Sequence, residues 1–412
     1  ATTGAAGFNP DAQGNLYAGT SAGTASDSDT TFNIGLGACA LKSNCSSDQN
    51  IALGTNAGCS ITAGGVNILI GRNAGCTMTS GLGNAFLGSY AGHETTMECN
   101  VIIGTVAGRC AKCAQHSVFI GTNAGRGPTN TVTCNCDFAS VVIGSGAGSG
   151  IRGGRFNVTL GRNAGASMST GESHIFLGCA AGACQISGFN NIFVGDKAGQ
   201  KSTTSAQNIF MGQLAGRENT TGNLKIAIGD NAGQCGMGST TNSGIAIGHC
   251  ALRCTTDSGN VAIGNNAGLK ITCRANVLMG NQTAVTATAA CGNTFLGHYV
   301  AACLTTGCRN TFVGCQAGFG HTVGHFNVML GACSGPRTCG ATGDANIFIG
   351  GYTASAMCTG DDNILIGDGT GRCLRDTCRN IFFGRNAGFG VTSGDSNFYA
   401  GNHAGPAACG HT

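Results

Sequence analysis

The chain has 412 residues, 42% of them hydrophobic and only 9% charged, with 73 Gly, 25 Cys, 4 Pro and no Trp. A formal net charge of +3, with no basic run, excludes the electrostatic footprint of a nucleic-acid binder. No apolar run approaches the roughly 20 residues of a membrane-spanning helix; collagen is excluded by the lack of a Gly-x-y period, and a disordered linker by the confinement of apolar residues to fixed columns.

In chain order, residues 1–14 read as a partial coil or N-terminal contact segment, and the start at Ala1 fits a mature form whose leader has been removed. From residue 15 to 405 one phrase recurs, as in Asn50-Ile-Ala-Leu-Gly-Thr-Asn-Ala-Gly58 and Asn67-Ile-Leu-Ile-Gly-Arg-Asn-Ala-Gly75. Its anchor glycine first falls at Gly19, Gly37, Gly54 and Gly71 and last at Gly401, usually at intervals of 17 residues; the step from Gly121 to Gly144 is the longest. So short a period cannot hold a helical hairpin, so each repeat is one coil of a stack. The expected fold is all-β: a single elongated, disulfide-rich β-solenoid of about 23 coils with a 17-residue period. Residues 406–412 form a C-terminal contact segment.

Counting from the anchor glycine, positions −3 and −1 are aliphatic, as in Ile51 and Leu53 or Ile68 and Ile70. Two such residues one place apart carry the period-two signature of a strand, and the expectation is that they line the interior. Position −4 is a recurrent Asn (Asn50, Asn67, Asn191, Asn208, Asn260, Asn276, Asn310, Asn346, Asn363 and Asn380), read as an amide ladder along the stack. Small residues at +3 and +4, mostly Ala and Gly, permit sharp turns. Position −2 carries Phe86, Phe119, Phe176, Phe193, Phe210, Phe295, Phe312, Phe348 and Phe382. If −3 and −1 point in, this row points out, and we take it as a subunit contact; the alternative is a coil wide enough to bury −2 as well.

The cysteine content points to an oxidising, extracellular setting. Cys59 with Cys76, and Cys291 with Cys308, share a column one period apart, and neighbouring strands at about 4.8 Å suit a disulfide. Cys39/Cys45, Cys179/Cys184, Cys250/Cys254, Cys303/Cys308, Cys333/Cys339 and Cys373/Cys378 lie close within one coil. Cys308 serves in two of these pairs, so connectivity stays open, and an odd count leaves one thiol free or bonded to another chain. Cys110-x-x-Cys113 with Cys134-x-Cys136 is the zinc alternative, with the second spacing wrong for it.

The repeat pattern resembles the Asn-Ile-x-Ile-Gly-x-x-Ala-Gly repeats of bacterial and phage tail-fibre-like surface proteins and, more distantly, the heads of trimeric autotransporter adhesins. The resemblance spans residues 15–405 and implies a β-solenoid or β-roll, extracellular or virion exposure, and often trimers. The cysteine density departs from that family, and nothing after Gly405 resembles its self-cleaving chaperone domain.

No enzyme signature stands out, and neither a cofactor nor a metal site is expected. The nine His share no column, His321-x-x-x-His325 lacks a carboxylate partner, and Asp361-Asp362 reads as a turn. Sequons occur at Asn44, Asn157, Asn219 and Asn281. The leading expectation is a structural, self-assembling subunit of an extracellular filament, stacked head-to-tail through uncapped solenoid ends and stabilised by disulfides. The alternatives are a trimeric fibre or adhesin that binds a host receptor or surface glycan and, as a lesser reading, an ice-binding solenoid. The partner is therefore the chain itself, with a glycan or receptor as the alternative, and no nucleic acid or membrane span.

Overall fold

Each anchor glycine closes a short strand and turns the chain through dihedrals that only glycine adopts comfortably. Gly71 has φ +132°, and a Cβ built on it would come within 2.5 Å of the Gly88 carbonyl oxygen one coil away. The column is thus required twice, by conformation and by close approach. Two places on, Asn56, Asn73, Asn123 and Asn163 adopt left-handed φ between 56° and 59°, which Asn tolerates better than most residues.

The structure, a computed structural model, describes residues 9–96, 98–128, 139–235, 237, 243–255 and 259–410. It is an all-β solenoid of parallel strands on a period of about 17 residues, and it contains no helix among these residues. The chain divides into two units, Ala1–Gln207 and Asn208–Thr412. In the first, eleven strands run from β1 (Leu16–Ala18) to β11 (Ile192–Val194). Consecutive strands pair in parallel and in register, so that Ile34 meets Ile51 and Phe176 meets Phe193. In the second, twelve strands run from β12 (Ile209–Met211) to β23 (Phe398–Ala400) with the same pairing, as where Phe295 meets Phe312.

The facing of these strands inverts the expectation. Phe86, Phe119, Phe176, Phe193, Phe210, Phe295, Phe312, Phe348 and Phe382 are 0–1% exposed and form the core of their coils. They are not a subunit contact. The coil is wide enough for a phenyl ring because the facing +4 residue, as at Gly125 or Gly199, lends no side chain to the space. Alternation along the strand then turns −3 and −1 outward. Leu87 is 47% exposed, Leu160 46% and Ile68 44%.

The asparagine column is a buried ladder. Asn67 donates from Nδ2 to Asn50 Oδ1 (2.9 Å) and to the Gly81 carbonyl (2.8 Å), while its own Oδ1 accepts from the Asn84 backbone and side-chain amides at 3.0 and 3.1 Å. In the second unit the same bonds connect Asn260, Asn276, Asn293 and Asn310, and then Asn327, Asn346, Asn363, Asn380 and Asn397. Asn191 bonds His174 Nδ1 and the Ser205 carbonyl, and Asn208 bonds the Gly222 carbonyl and the Lys225 amide. Every amide group named in the ladder at Asn67 is satisfied, which a buried amide requires.

Candidate functional site

Three features of the surface carry chemistry: the disulfides, a column of polar acceptors, and the outward aliphatic face. Among the described residues three disulfides form, Cys273–Cys291, Cys303–Cys339 and Cys373–Cys409, with Cα separations of 5.2, 5.7 and 5.7 Å. None of the proposed within-coil pairs closes: Cys39, Cys45, Cys179, Cys184, Cys250, Cys254, Cys333 and Cys378 carry thiols, and Cys291 bonds Cys273 rather than Cys308. In-register coils lie about 4.8 Å apart, whereas residues four to six apart on one coil are separated by its bending perimeter. Cys59 and Cys76 do meet across neighbouring coils, with sulfurs 2.9 Å apart. A pair not foreseen, Cys235 and Cys254, approaches to 3.6 Å. Cys134 and Cys136 of the zinc alternative lie outside the described residues.

Two of the disulfides skip a coil. Cys303 and Cys339 sit on either side of the coil that carries Gly320, and Cys373 and Cys409 on either side of the one that carries Gly390. The strap that brings each second cysteine back accepts backbone bonds from the skipped coil: Gly320 N–H donates to the Pro336 carbonyl (2.8 Å), and Gly390 N–H to that of Pro406 (2.9 Å). A Cβ on Gly320 would run into the Thr338 carbonyl, and one on Gly390 into that of Ala408. The segment from 406 to 410 is thereby tied back onto its own chain. The signal was present in the sequence: Gly335-Pro-Arg-Thr-Cys339 recurs seventy residues later as Gly405-Pro-Ala-Ala-Cys409, with Gly-Phe-Gly before each, a four-coil period laid over the single-coil one.

His325, Cys308 and the Asp361 turn belong to one column. Cys291 N–H donates to Cys308 Sγ (3.3 Å), Cys308 N–H to His325 Nδ1 (3.2 Å), and His325 N–H to Asp344 Oδ1 (2.7 Å). The run continues from Asp344 N–H to Asp361 Oδ1 (2.8 Å), Asp361 N–H to Cys378 Sγ (3.5 Å) and Cys378 N–H to Asp395 Oδ1 (2.8 Å). Each side chain thus satisfies the backbone of the coil before it. His321 does not join His325; it is buried, edge-on to Phe312 and 3.1 Å from Asn327 Nδ2. Burial pushes its pKa down to about 4, and does the same to His174. Among the described residues no group of three or more His, Cys, Asp or Glu converges on a metal position. Of the sequons, Asn44, Asn157 and Asn219 are buried and Asn281 is exposed.

The threonines of the far side are engaged rather than free. Thr272, Thr288, Thr305 and Thr322 each donate a hydroxyl hydrogen bond to a carbonyl of the next coil. Comparison of the chain with protein-family models and with curated proteins returns no match.

Proposed function

We propose that this chain is a structural subunit of an extracellular fibre and that it assembles with further copies of itself. The observation that supports this reading is the outward face of the strands. In the first unit it presents Ile34, Ile51, Ile68, Val101, Val118 and their −1 neighbours with no charged side chain among them. A strand of three residues spans about 10 Å and the coils rise by about 4.8 Å. Each unit therefore offers an apolar patch of roughly 500 Å², at the upper end of what a monomer leaves in water. Packed against the same face of a second copy, it would bury about 1,000 Å² in all, the threshold for a specific interface.

A second copy is the occupant that matches best, because its ladder repeats at the same coil spacing and is equally uncharged. Face-to-face sheets interdigitate at about 10 Å. Parallel pairing that continues unchanged from coil to coil also suits head-to-tail addition, the route expected from the repeat. Disulfides are the chemistry of an oxidising compartment, consistent with placement outside the cell.

Negative-stain electron microscopy of unreduced and reduced material tests the reading. Long uniform fibres, shortened by reductant, are expected. Discrete particles at all concentrations, with a sedimentation mass of one chain, would overturn it.

A further inference from the structure

Cys273, Cys291 and Cys308 stand on three consecutive coils, and only two of them can be bonded at once. The disulfide joins Cys273 to Cys291. Cys308 is in register with Cys291 one coil on, as the Arg309 N–H to Cys291 carbonyl bond of 2.9 Å records. In-register neighbours lie about 4.8 Å apart, inside the Cα range that a disulfide accepts. The Cys308 sulfur is also turned toward that coil: it lies 3.3 Å from the Cys291 amide nitrogen and 3.8 Å from the Ala289 carbonyl oxygen. Cys291 and Cys308 line one open cleft together with Arg274, Ala275, Gly292 and Arg309, so solvent and small thiols reach both.

The geometry points to a thiol–disulfide exchange site in which Cys291 is shared between two partners. Cys308 loses its proton to solvent and its thiolate attacks Cys291 Sγ. The Cys291–Cys308 bond forms as the Cys273–Cys291 bond breaks, and Cys273 leaves as a thiolate that takes up a proton. No electrons enter or leave, and no oxidant is required. The free thiol moves two coils along the surface, from Cys308 to Cys273. Exchange of this kind proceeds through the attacking thiolate and needs access to the central sulfur, which the cleft provides. The same step, run against a disulfide of another chain, would crosslink copies, but the intramolecular exchange does not rest on the fibre reading.

Peptide mapping of the full chain tests it. Unreduced protein is incubated at mildly alkaline pH with a trace of a small thiol, quenched in acid, alkylated, cleaved and weighed. Both Cys273–Cys291 and Cys291–Cys308 linked peptides are expected in the unmodified chain and only the first in Cys308→Ser; Cys273→Ser, which has no bond to exchange and is therefore given oxidised glutathione as oxidant, is expected to yield only the second. The proposal is overturned if the unmodified chain yields Cys273–Cys291 alone, or if Cys273→Ser with oxidised glutathione leaves Cys291 and Cys308 both alkylated. The readout is covalent connectivity, so it is unaffected by whether fibres form.

Discussion

Gly92 lies directly under the ring of Phe86, so close that a Cβ on Gly92 would come within 2.5 Å of the ring's Cε2. The two positions share one volume. Where −2 is instead Gly35 or Ala246, the +4 residue is Leu41 or Leu252, and both leucines are fully buried. In these coils the core is filled from one side or the other.

Gly92→Ala is therefore expected to destabilise by about 1–3 kcal/mol through overpacking, and Phe86→Ala by about 3–5 kcal/mol through the cavity it leaves. The double change Phe86→Ala/Gly92→Leu reproduces the arrangement of Ala246 with Leu252 and should recover part of the loss. Denaturant midpoints of the three variants measure the coupling. Strict additivity would contradict the shared volume.

This exchange of volume also explains what the sequence made legible and what it hid. The period, the strands and the asparagine ladder follow from columns that repeat in every coil. The facing of the strand does not, because −3, −2 and −1 are all apolar, as in Ile364-Leu365-Ile366, and alternation alone cannot tell which parity is buried. The mark that bears on it is a small residue at +4, Gly or Ala, opposite every Phe at −2, with Leu41 and Leu252 at +4 where −2 is Gly35 or Ala246, a relation between columns rather than within one. The coil-skipping disulfides were hidden for a related reason. Cys303 and Cys339 lie 36 residues apart, two coils rather than one, and only the recurrence of Gly-Pro-x-x-Cys reveals them.

Asn67→Leu should remove more than one hydrogen bond's worth of stability. It leaves the Gly81 carbonyl without the Asn67 donor, and the Asn84 backbone N–H without the Asn67 acceptor, in a site closed to water. Each stranded group costs about 1–3 kcal/mol. Asn67→Ser should be milder, since Ser117 and Ser140 occupy the same column and their hydroxyl oxygens accept the next coil's N–H. Urea unfolding compares the pair, and equal losses would argue against the ladder as the cause.

The skipped coil must stay bare for the Cys303–Cys339 bond to close. Gly320→Val places a branched side chain where the Thr338 carbonyl passes. Counting alkylated cysteines in denaturant without reductant should show two more thiols than in the unmodified chain. Cys303→Ser removes a crosslink across a 36-residue separation, worth about 4 kcal/mol on loop entropy alone. An unchanged thiol count in Gly320→Val would show that the strap tolerates a side chain there.

His174 and His321 should make the fold sensitive to mild acid. Burial holds both near pKa 4, below the ordinary value of 6.5. The unfolded chain therefore binds more protons between those values, so stability is complete above about pH 6.5 and is lost as pH falls toward 4. The loss approaches about 3 kcal/mol for each residue. His174→Asn restores the residue usual in its column and should flatten half of the slope. A melting profile between pH 7 and pH 4 reads this directly.

Lys225 is the opposite kind of intruder in the asparagine column. It is fully buried, its amide donates to Asn208 Oδ1 at 3.0 Å, and its Nζ donates to Asn219 Oδ1 at 2.8 Å. Burial lowers its pKa to about 8 from 10.5. Between those values the unfolded state holds the extra proton, so stability should rise as pH climbs from about 8 to 10.5, and below 8 the fold carries the full cost of a buried ammonium. That cost is bounded at about 3 kcal/mol by the size of the shift. Lys225→Asn removes the charge and supplies the side chain for which the neighbouring coils are shaped. It is expected to raise the melting midpoint at pH 7 and to abolish the gain on going to pH 10. A lower midpoint at pH 7 would mean that the bond to Asn219 outweighs the desolvation of the ammonium, and that the lysine stabilises the coil it occupies.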